Sequence, residues 1–327
     1  MALNLKTRAS STSGDGDQSA QSGPPLVRTQ SSKPSLQSTP VESPEVEMVA
    51  VTPITASDIL ADQTPIREFI LLAGKDGVGK SCAVVSMAKY VQDILDPLND
   101  RQSTFYVIDS ENKFRTALRT WGPDAPTNIV YYKVETMNHV TWAVNDILAK
   151  HQPWDWLAVE SMSRIWERAQ DLGYMAVSGY TKVEYMEERA KIQGKKPGPT
   201  PSPDQLWSVT KGAHDGAFLD RITLCDDLNV MLTTTMSKPP KQDGFMKENQ
   251  DRRAMRAELG IDAGIEGAPR IPYFAESLCL LELNKGKVSC RILRDNLSAR
   301  AEDDTRPTFD VDSKKSFAND FFLNCRS

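Results

Sequence analysis

The stretch that decides the fold runs from Glu68 to Ser81 and reads EFILLAGKDGVGKS. Its first part, from Glu68 to Ala73, is almost wholly apolar, which is typical of a strand buried on both faces of a parallel sheet. The residues from Ser81 to Leu95 repeat apolar side chains with a helical period, and Pro97 ends the pattern. The sequence therefore predicts a strand, a glycine-rich loop and a helix in succession.

The glycine-rich loop has a specific spacing. Residues 74–81 match G-x-x-x-x-G-K-[ST] at every fixed position, between a predicted strand and a predicted helix as the motif requires. Such a loop turns its backbone N–H groups toward a phosphate, where the helix dipole also favours negative charge. We expect ATP with Mg²⁺, with Lys80 on the β- and γ-phosphates and the Ser81 hydroxyl on the metal. The other interpretation is a glycine-rich turn without a ligand. The residues expected to contact the nucleotide are Gly74, Lys75, Asp76, Gly77, Val78, Gly79, Lys80, Ser81 and Cys82.

Strand and helix patterns alternate through the middle of the chain. Strands are predicted at residues 104–108, 129–134, 156–159 and 230–235, and helices at 114–121 and 139–150. This alternation predicts an α/β fold with a mostly parallel, doubly wound sheet. Two further strands, 277–283 and 288–293, flank a turn at residues 284–287 and predict an antiparallel hairpin at the sheet edge.

Shifts in composition suggest the domain boundaries. Residues 1–56 are rich in Ser, Thr, Pro, Gln and Gly and are predicted to be a disordered tail. We assign residues 57–298 to the α/β domain, with inserted loops at about 163–208 and 236–272, and residues 299–327 to a C-terminal tail. The chain is 39% hydrophobic and 25% charged, and no apolar run approaches the roughly 20 residues that span a bilayer. We therefore expect no membrane association and a cytoplasmic location.

The five cysteines are scattered along the chain. They form no C-x-x-C pair, and no histidine lies at ligand spacing from any of them. This pattern suggests neither a zinc site nor a disulfide framework.

Acidic residues follow two predicted buried strands. The first strand delivers Asp109 and then Glu111, and the second delivers Glu160, followed by Ser161. Ligands of open α/β sheets bind outside the carboxyl ends of the strands, so these acids are expected beside the phosphate loop. Hydrolysis of a nucleotide needs a carboxylate for Mg²⁺ and a group that orients the attacking water.

With these motifs, residues 68–296 resemble the RecA superfamily of P-loop ATPases, and within it the phage-encoded RecA-like proteins of single-strand annealing and recombination. The resemblance implies a RecA-like sheet, and a host-cytoplasmic location if the chain is phage-encoded. It implies that Glu111 is the catalytic glutamate and that Glu160 holds Mg²⁺ through water as the Walker B acid, although the family usually has Asp there. It also implies that Thr234 or Thr235 senses the γ-phosphate and that Arg294 reaches a neighbour's ATP in a homo-oligomer. The alternative interpretations are solvated strand ends for the acids, ordinary strand residues for the two threonines and a surface position for Arg294.

The resemblance also implies a single-stranded DNA partner held on the two inserted loops. Both segments carry cations and aromatic side chains, which suit phosphates and bases respectively. Acidic residues in the same segments leave a solvated charged loop as an equal interpretation. The first set is Tyr180, Lys182, Tyr185, Arg189, Lys191, Lys195, Lys196 and Trp207, and the second is Lys238, Lys241, Phe245, Lys247, Arg252, Arg253 and Arg256.

Three functions are consistent with the sequence. The first is an ATPase that acts on single-stranded DNA in phage-type recombination or replication. The second is a partition ATPase, because Lys75 and the residues from Gly77 to Ser81 resemble the deviant loop of ParA/MinD-type proteins; Asp76 departs from that family, which has Gly there. The third is a nucleotide-binding regulatory or packaging module with little turnover.

Overall fold

The computed structural model describes residues 67–191, 202–237, 254, 256–257, 259–261, 264–268, 270–297, 308–311 and 316–325. All of them belong to one compact unit that spans residues 62–327. The predicted tail at 1–56 and most of the predicted loop at 236–272 lie outside the described residues, as do Lys195 and Lys196.

The described strands form one mixed sheet around the phosphate loop. The strands are β1 (Phe69–Gly74), β2 (Phe105–Asp109), β3 (Ile129–Lys133), β4 (Trp156–Glu160), β5 (Asn229–Ser237), β6 (Gly264–Ile265), β7 (Ser277–Asn284), β8 (Lys287–Asp295) and β9 (Thr308–Val311). The sheet order is β3-β2-β4-β5-β1-β7-β8-β9, with β6 paired to β5. The pairs among β1 to β5 and the β1–β7 pair are parallel, whereas β7–β8, β8–β9 and β5–β6 are antiparallel.

Helices cover both faces of this sheet. The labelled α-helices among the described residues are α1 (Lys80–Tyr90), α2 (Phe114–Trp121), α3 (Met137–Lys150), α4 (Met162–Ser178), α5 (Lys182–Lys191), α6 (Pro203–Lys211), α7 (Ile271–Phe274) and α8 (Phe317–Cys325). One face of the sheet packs mainly on α3, α4 and the turns before β5, and the other on α1, α2 and α8. Every residue of β1, β2 and β4 is buried, as expected of central strands between two helical layers.

The predicted α/β architecture is confirmed: the sheet is mostly parallel and doubly wound, with antiparallel strands toward the C-terminus. The helix after the phosphate loop differs in detail from the prediction. It ends at Tyr90 and continues as a π-helical turn, Val91–Leu95, and a last turn, Asp96–Leu98. Pro97 lies at the start of that last turn, where its missing N–H is tolerated, so it does not end the pattern.

The C-terminal residues differ from the predicted tail and the predicted sheet edge. Strand β9 pairs with β8, so the hairpin of β7 and β8 lies inside the sheet. Helix α8 packs on α1, with the Ala318 N–H donating to Ser86 Oγ at 3.1 Å. Phe317, Phe321 and Cys325 are spaced four residues apart and form one buried helix face.

The first inserted segment is mainly helical where it is described. Helices α4, α5 and α6 occupy most of it, and a π-helical turn, Gly212–Leu219, follows α6. Within the described residues, no helix is both long and apolar enough to cross a membrane.

Candidate functional site

The phosphate loop follows the carboxyl end of β1, at the centre of the sheet. Gly77 and Gly79 have φ angles of +78° and +107°, which side-chain-bearing residues rarely adopt. A Cβ on Gly74 would lie 2.8 Å from Val78 Cγ1 and 3.0 Å from the Leu281 carbonyl oxygen. The three glycines are therefore required by the curled backbone itself.

Lys80 is the first residue of α1, and its ammonium lies inside the loop. The side chain is buried, and Nζ donates to the carbonyls of Gly74 at 2.8 Å and Lys75 at 3.0 Å. Burial lowers the pKa of Lys80, and Glu160 is the largest influence in the opposite direction. The ammonium is thus placed where a loop-bound phosphate would lie.

Ser81 and Glu160 are in direct contact. Ser81 Oγ donates to Glu160 Oε1 at 2.6 Å, which links the start of α1 to the end of β4. Glu160 is 1% exposed, and its Oε2 has no hydrogen-bond partner among the described residues. Thr233 lies near this carboxylate, but its hydroxyl donates to the Val159 carbonyl at 3.4 Å.

Burial raises the pKa of Glu160 from 4.5 to about 7, because the Ser81 hydroxyl, the Thr233 hydroxyl and the Lys80 ammonium offset only part of the desolvation. A buried carboxylate oxygen without a partner, beside a serine hydroxyl, fits a water-mediated Mg²⁺ site, since Mg²⁺ takes oxygen ligands and keeps several waters. The residues present therefore suit the metal that the motif implies.

Asp109 has its carboxylate engaged by its own strand end. Oδ1 accepts the Glu111 N–H at 2.9 Å, and Oδ2 accepts the Phe114 N–H and the Tyr131 hydroxyl, each at 3.1 Å. Burial and Asp109 raise the pKa of Tyr131 to about 12. These bonds fix the backbone of the turn that leads into α2, including that of Glu111.

Glu111 faces the phosphate loop within a group of charges. Its Oε2 lies 2.5 Å from Lys113 Nζ, and its Oε1 lies 3.7 Å from Arg164 Nε. The Lys113 ammonium is also 3.5 Å from Oδ1 of Asp76, a loop residue. Lys113 thus connects Glu111 to the loop.

The polar residues at the end of β5 have different environments. Thr234 is buried, and its hydroxyl donates to the Glu266 carbonyl at 2.7 Å. Thr235 is half-buried and accepts from Ser163 at 3.4 Å. Thr233, which the sequence did not single out, is the β5 threonine whose hydroxyl acts on the pKa of Glu160.

Arg294 is held by its own chain. Its guanidinium donates to the carbonyls of Pro272 and Ala275, the latter at 2.7 Å. In the sheet it pairs with Leu278, whereas Leu281 pairs with Gly74 of the phosphate loop. Arg294 therefore lies well back from the loop end of the sheet.

A cavity of about 330 Å³ lies beside the phosphate loop. Gly79 and Cys82 line it from the loop and α1, and Gly286 and Lys287 line it from the β7–β8 turn. Residues of β9 and α8 complete the wall, so the unexpected C-terminal elements contribute to the site.

The basic and aromatic side chains of the first inserted segment divide into two groups. Tyr185 is buried, with its ring centroid 5.3 Å from that of Tyr174, and Lys182 Nζ donates to Gln170 Oε1 at 2.8 Å. Tyr180 and Trp207 are exposed, as are Arg189 and Lys191. Sequence reasoning wrongly grouped Tyr185 with the surface residues; its position on the inner face of α5 decides its burial.

Sequence reasoning also missed Lys113 and Arg164. Each is a single basic residue close after a strand end, and nothing in its local pattern marks it. Their relation to Glu111 arises because β2 and β4 are adjacent parallel strands whose ends meet at one edge.

Comparisons with known proteins do not establish the function of this chain. No protein-family model matches the chain, and no curated protein sequence matches it. Among solved structures, the chain is similar to the "ATPase Domain of G40P", with 11% identity and a TM-score of 0.39, over 75% of this chain and 80% of that one. A likeness of this size does not identify an activity, so we infer function from the residues of this chain.

Proposed function

We propose that the chain binds ATP with Mg²⁺ on residues 74–81 and hydrolyses it. The observation that carries this proposal is the contact between Ser81 and the buried Glu160, with the Lys80 ammonium within the same loop. A hydroxyl, a carboxylate and an ammonium meet where the backbone curls, which is the set that phosphoryl transfer requires.

Each residue has a role that follows from its position. Lys80 exchanges its two loop carbonyls for phosphate oxygens, and this exchange is favourable because a buried ammonium gains an anionic partner. Ser81 would hold the metal directly and Glu160 would hold it through water. When bound, Mg²⁺ would neutralise charge that develops on the phosphate oxygens.

Glu111 orients the attacking water in this proposal. Its carboxylate is 12% exposed and is held from two sides, by Lys113 and Arg164. A carboxylate in a fixed position loses little freedom in the transition state, so most of its effect comes from alignment. The adenine base enters the cavity beside Cys82, which has room for a ring between the loop and the β7–β8 turn.

The test is the rate of ATP hydrolysis with and without Mg²⁺. We expect Lys80→Ala to abolish ATP binding in calorimetry, and Glu111→Gln to keep binding while it lowers kcat at least 100-fold. Lys89→Ala and Glu135→Gln are matched controls, because Lys89 lies in the same helix and Glu135 is an exposed carboxylate. If folded wild-type protein binds no ATP or GTP at millimolar Mg²⁺, the proposal fails.

We further propose that single-stranded DNA is the partner and that the active form is a homo-oligomer. One specific observation supports a stacking surface: Trp207 is 46% exposed, and Lys211 Nζ lies 5.3 Å from the centre of its ring. An exposed aromatic with a cation over it suits a base and its phosphate.

Stimulation of hydrolysis by single-stranded DNA, and its loss in Trp207→Ala, is the expected result. Equal rates with and without DNA would refute this partner and leave the ATPase proposal intact. ATP-dependent dimers that Lys75→Ala abolishes would favour the partition ATPase, since Lys75 is exposed. Binding without turnover under all conditions would favour the regulatory or packaging module.

A further inference from the structure

Three potential metal ligands converge far from the phosphate loop. His151 follows α3, and Cys225 and Asp227 precede β5, so the cluster lies at the amino ends of β4 and β5. The distances are 3.0 Å from His151 Nε2 to Asp227 Oδ1, 3.4 Å from Cys225 Sγ to Nε2, and 3.3 Å from Sγ to Oδ1. These atoms belong to the ligand types that zinc prefers.

The triangle of atoms has the size of one face of a zinc tetrahedron. With Zn–S near 2.3 Å and Zn–N and Zn–O near 2.0 Å, tetrahedral angles give edges of about 3.5 Å to sulfur and about 3.3 Å between nitrogen and oxygen. The three observed distances, 3.4, 3.3 and 3.0 Å, are shorter than these edges by about 0.1, 0.2 and 0.3 Å respectively. Small side-chain movements would therefore complete the geometry.

The hydrogen bond of His151 Nδ1 also supports a metal site. Its Nδ1 lies 3.1 Å from the Leu148 carbonyl oxygen, which can only accept, so Nδ1 carries a proton. The other ring nitrogen, Nε2, faces Cys225 and Asp227, and a metal ion would take the place of the proton that Nε2 shares with Asp227 Oδ1. Such a bond to a backbone carbonyl is the usual way in which proteins orient a metal-binding histidine.

The backbone around Cys225 and Asp227 is fixed by hydrogen bonds from other segments. The Arg67 guanidinium donates to the carbonyls of Ile222 at 3.0 Å, Thr223 at 2.7 Å and Cys225 at 2.5 Å. The Trp154 N–H donates to the Asp227 carbonyl at 3.1 Å. The ligands are therefore held in place by contacts outside the cluster itself, which favours binding of an ion.

We propose that His151, Cys225 and Asp227 bind a Zn²⁺ ion, with a fourth position open to water. The Asp227 side chain is 41% exposed, which leaves an entry path from solvent. Binding releases two protons to solvent, the thiol proton of Cys225 and the proton between His151 Nε2 and Asp227 Oδ1, and joins the loop before β4 to the turn before β5. This site is independent of the proposed ATPase activity.

The experiment uses the full chain after dialysis against a chelator. Co²⁺ is added as a spectroscopic substitute for Zn²⁺ in the presence of excess Mg²⁺, which occupies sites made only of oxygen ligands. We expect one equivalent of Co²⁺ to give tetrahedral ligand-field bands and a thiolate charge-transfer band. Zn²⁺ should abolish both by displacement and should raise the Tm of the chelator-treated protein.

Variants assign the signal to this cluster. Cys225→Ser should lose the charge-transfer band, and His151→Gln should weaken Co²⁺ binding at least tenfold. Cys82→Ser is the matched control, because Cys82 is the other half-buried cysteine, and it should keep the band. All three histidines and all five cysteines of the chain lie among the described residues, and within that part of the chain this is the cluster that brings a histidine, a cysteine and a carboxylate together.

Two results would overturn the proposal. Absence of the charge-transfer band in folded wild-type protein would mean that the three residues form a hydrogen-bonded cluster only. A band that survives in Cys225→Ser would place the metal at a different thiol. If Cys225→Ser does not fold, Asp227→Asn together with His151→Gln provides the same test through affinity.

Discussion

Replacement of Glu160 by Gln should stabilise the protein when neither metal nor nucleotide is present. Glu160 is buried at the end of β4, and its Oε2 has no hydrogen-bond partner among the described residues. The amide oxygen of Gln can still accept from Ser81, but the side chain carries no charge. The variant therefore avoids the cost of an ionised carboxylate that is buried and only partly compensated by its neighbours.

The magnitude follows from the pKa of Glu160, which burial raises from 4.5 to about 7. A raised carboxyl pKa means that the native state binds the proton more tightly than the unfolded state, so wild-type stability falls as pH rises between these two values. A pKa difference of about 2.5 corresponds to about 3 kcal/mol. The advantage of Glu160→Gln should be about 1 kcal/mol at pH 5 and about 3 kcal/mol at pH 8.5.

The assay is urea unfolding of both proteins across this pH range in the presence of a chelator. Glu135→Gln is the control, and its pH dependence should have the opposite sign. Lys133 lowers the pKa of this exposed carboxyl, so the stability that the ionised Glu135 contributes to the wild type is lost as pH falls. A Glu160→Gln advantage that does not change with pH, or a variant less stable than wild type at pH 8.5, would refute the buried-carboxylate reasoning.

Three further predictions concern other parts of the structure. Phe321→Ala should lower the free energy of unfolding by about 3–5 kcal/mol in urea titration, because its ring is fully buried on the inner face of α8. A smaller loss would mean that α8 is loosely packed. Gly74→Ala should weaken ATP binding in calorimetry at least tenfold, because the added Cβ would lie 3.0 Å from the Leu281 carbonyl oxygen. Unchanged affinity would contradict the close packing of residue 74 against β7. Lys113→Ala should lower kcat up to tenfold with little effect on KM, because it removes one of the two ion pairs that hold the Glu111 carboxylate. An effect on KM alone would mean that Lys113 binds substrate instead.

Much of the fold was predictable because periodicity reflects burial. Strands β1, β2 and β4 are apolar at every position or nearly so, and the structure buries each of them completely. Helix α8 was missed although Phe317, Phe321 and Cys325 lie four residues apart, since a short apolar stripe after a long polar stretch is a weak signal. Its packing partner, α1, is more than 200 residues away along the chain.

The candidate site was predictable in part. The loop motif locates Lys80 and Ser81, and the strand ends locate Glu111 and Glu160, because the chemistry of each is encoded within a few neighbouring residues. The contact between Ser81 and Glu160 spans 79 residues, and no local pattern contains it. The roles of Thr233, Lys113 and Arg164 likewise depend on which strands are neighbours.

The sequence by itself determined the class of sheet and the curled loop at its centre, because glycine spacing and apolar periodicity act over short distances. Only the tertiary structure decided which distant side chains meet. His151 and Cys225 are 74 residues apart, and their spacing gave no sign of a shared site; the parallel alignment of β4 and β5 brings the preceding turns together. Local patterns reflect which side chains a segment buries, whereas contacts between distant segments are set by the order of the strands in the sheet.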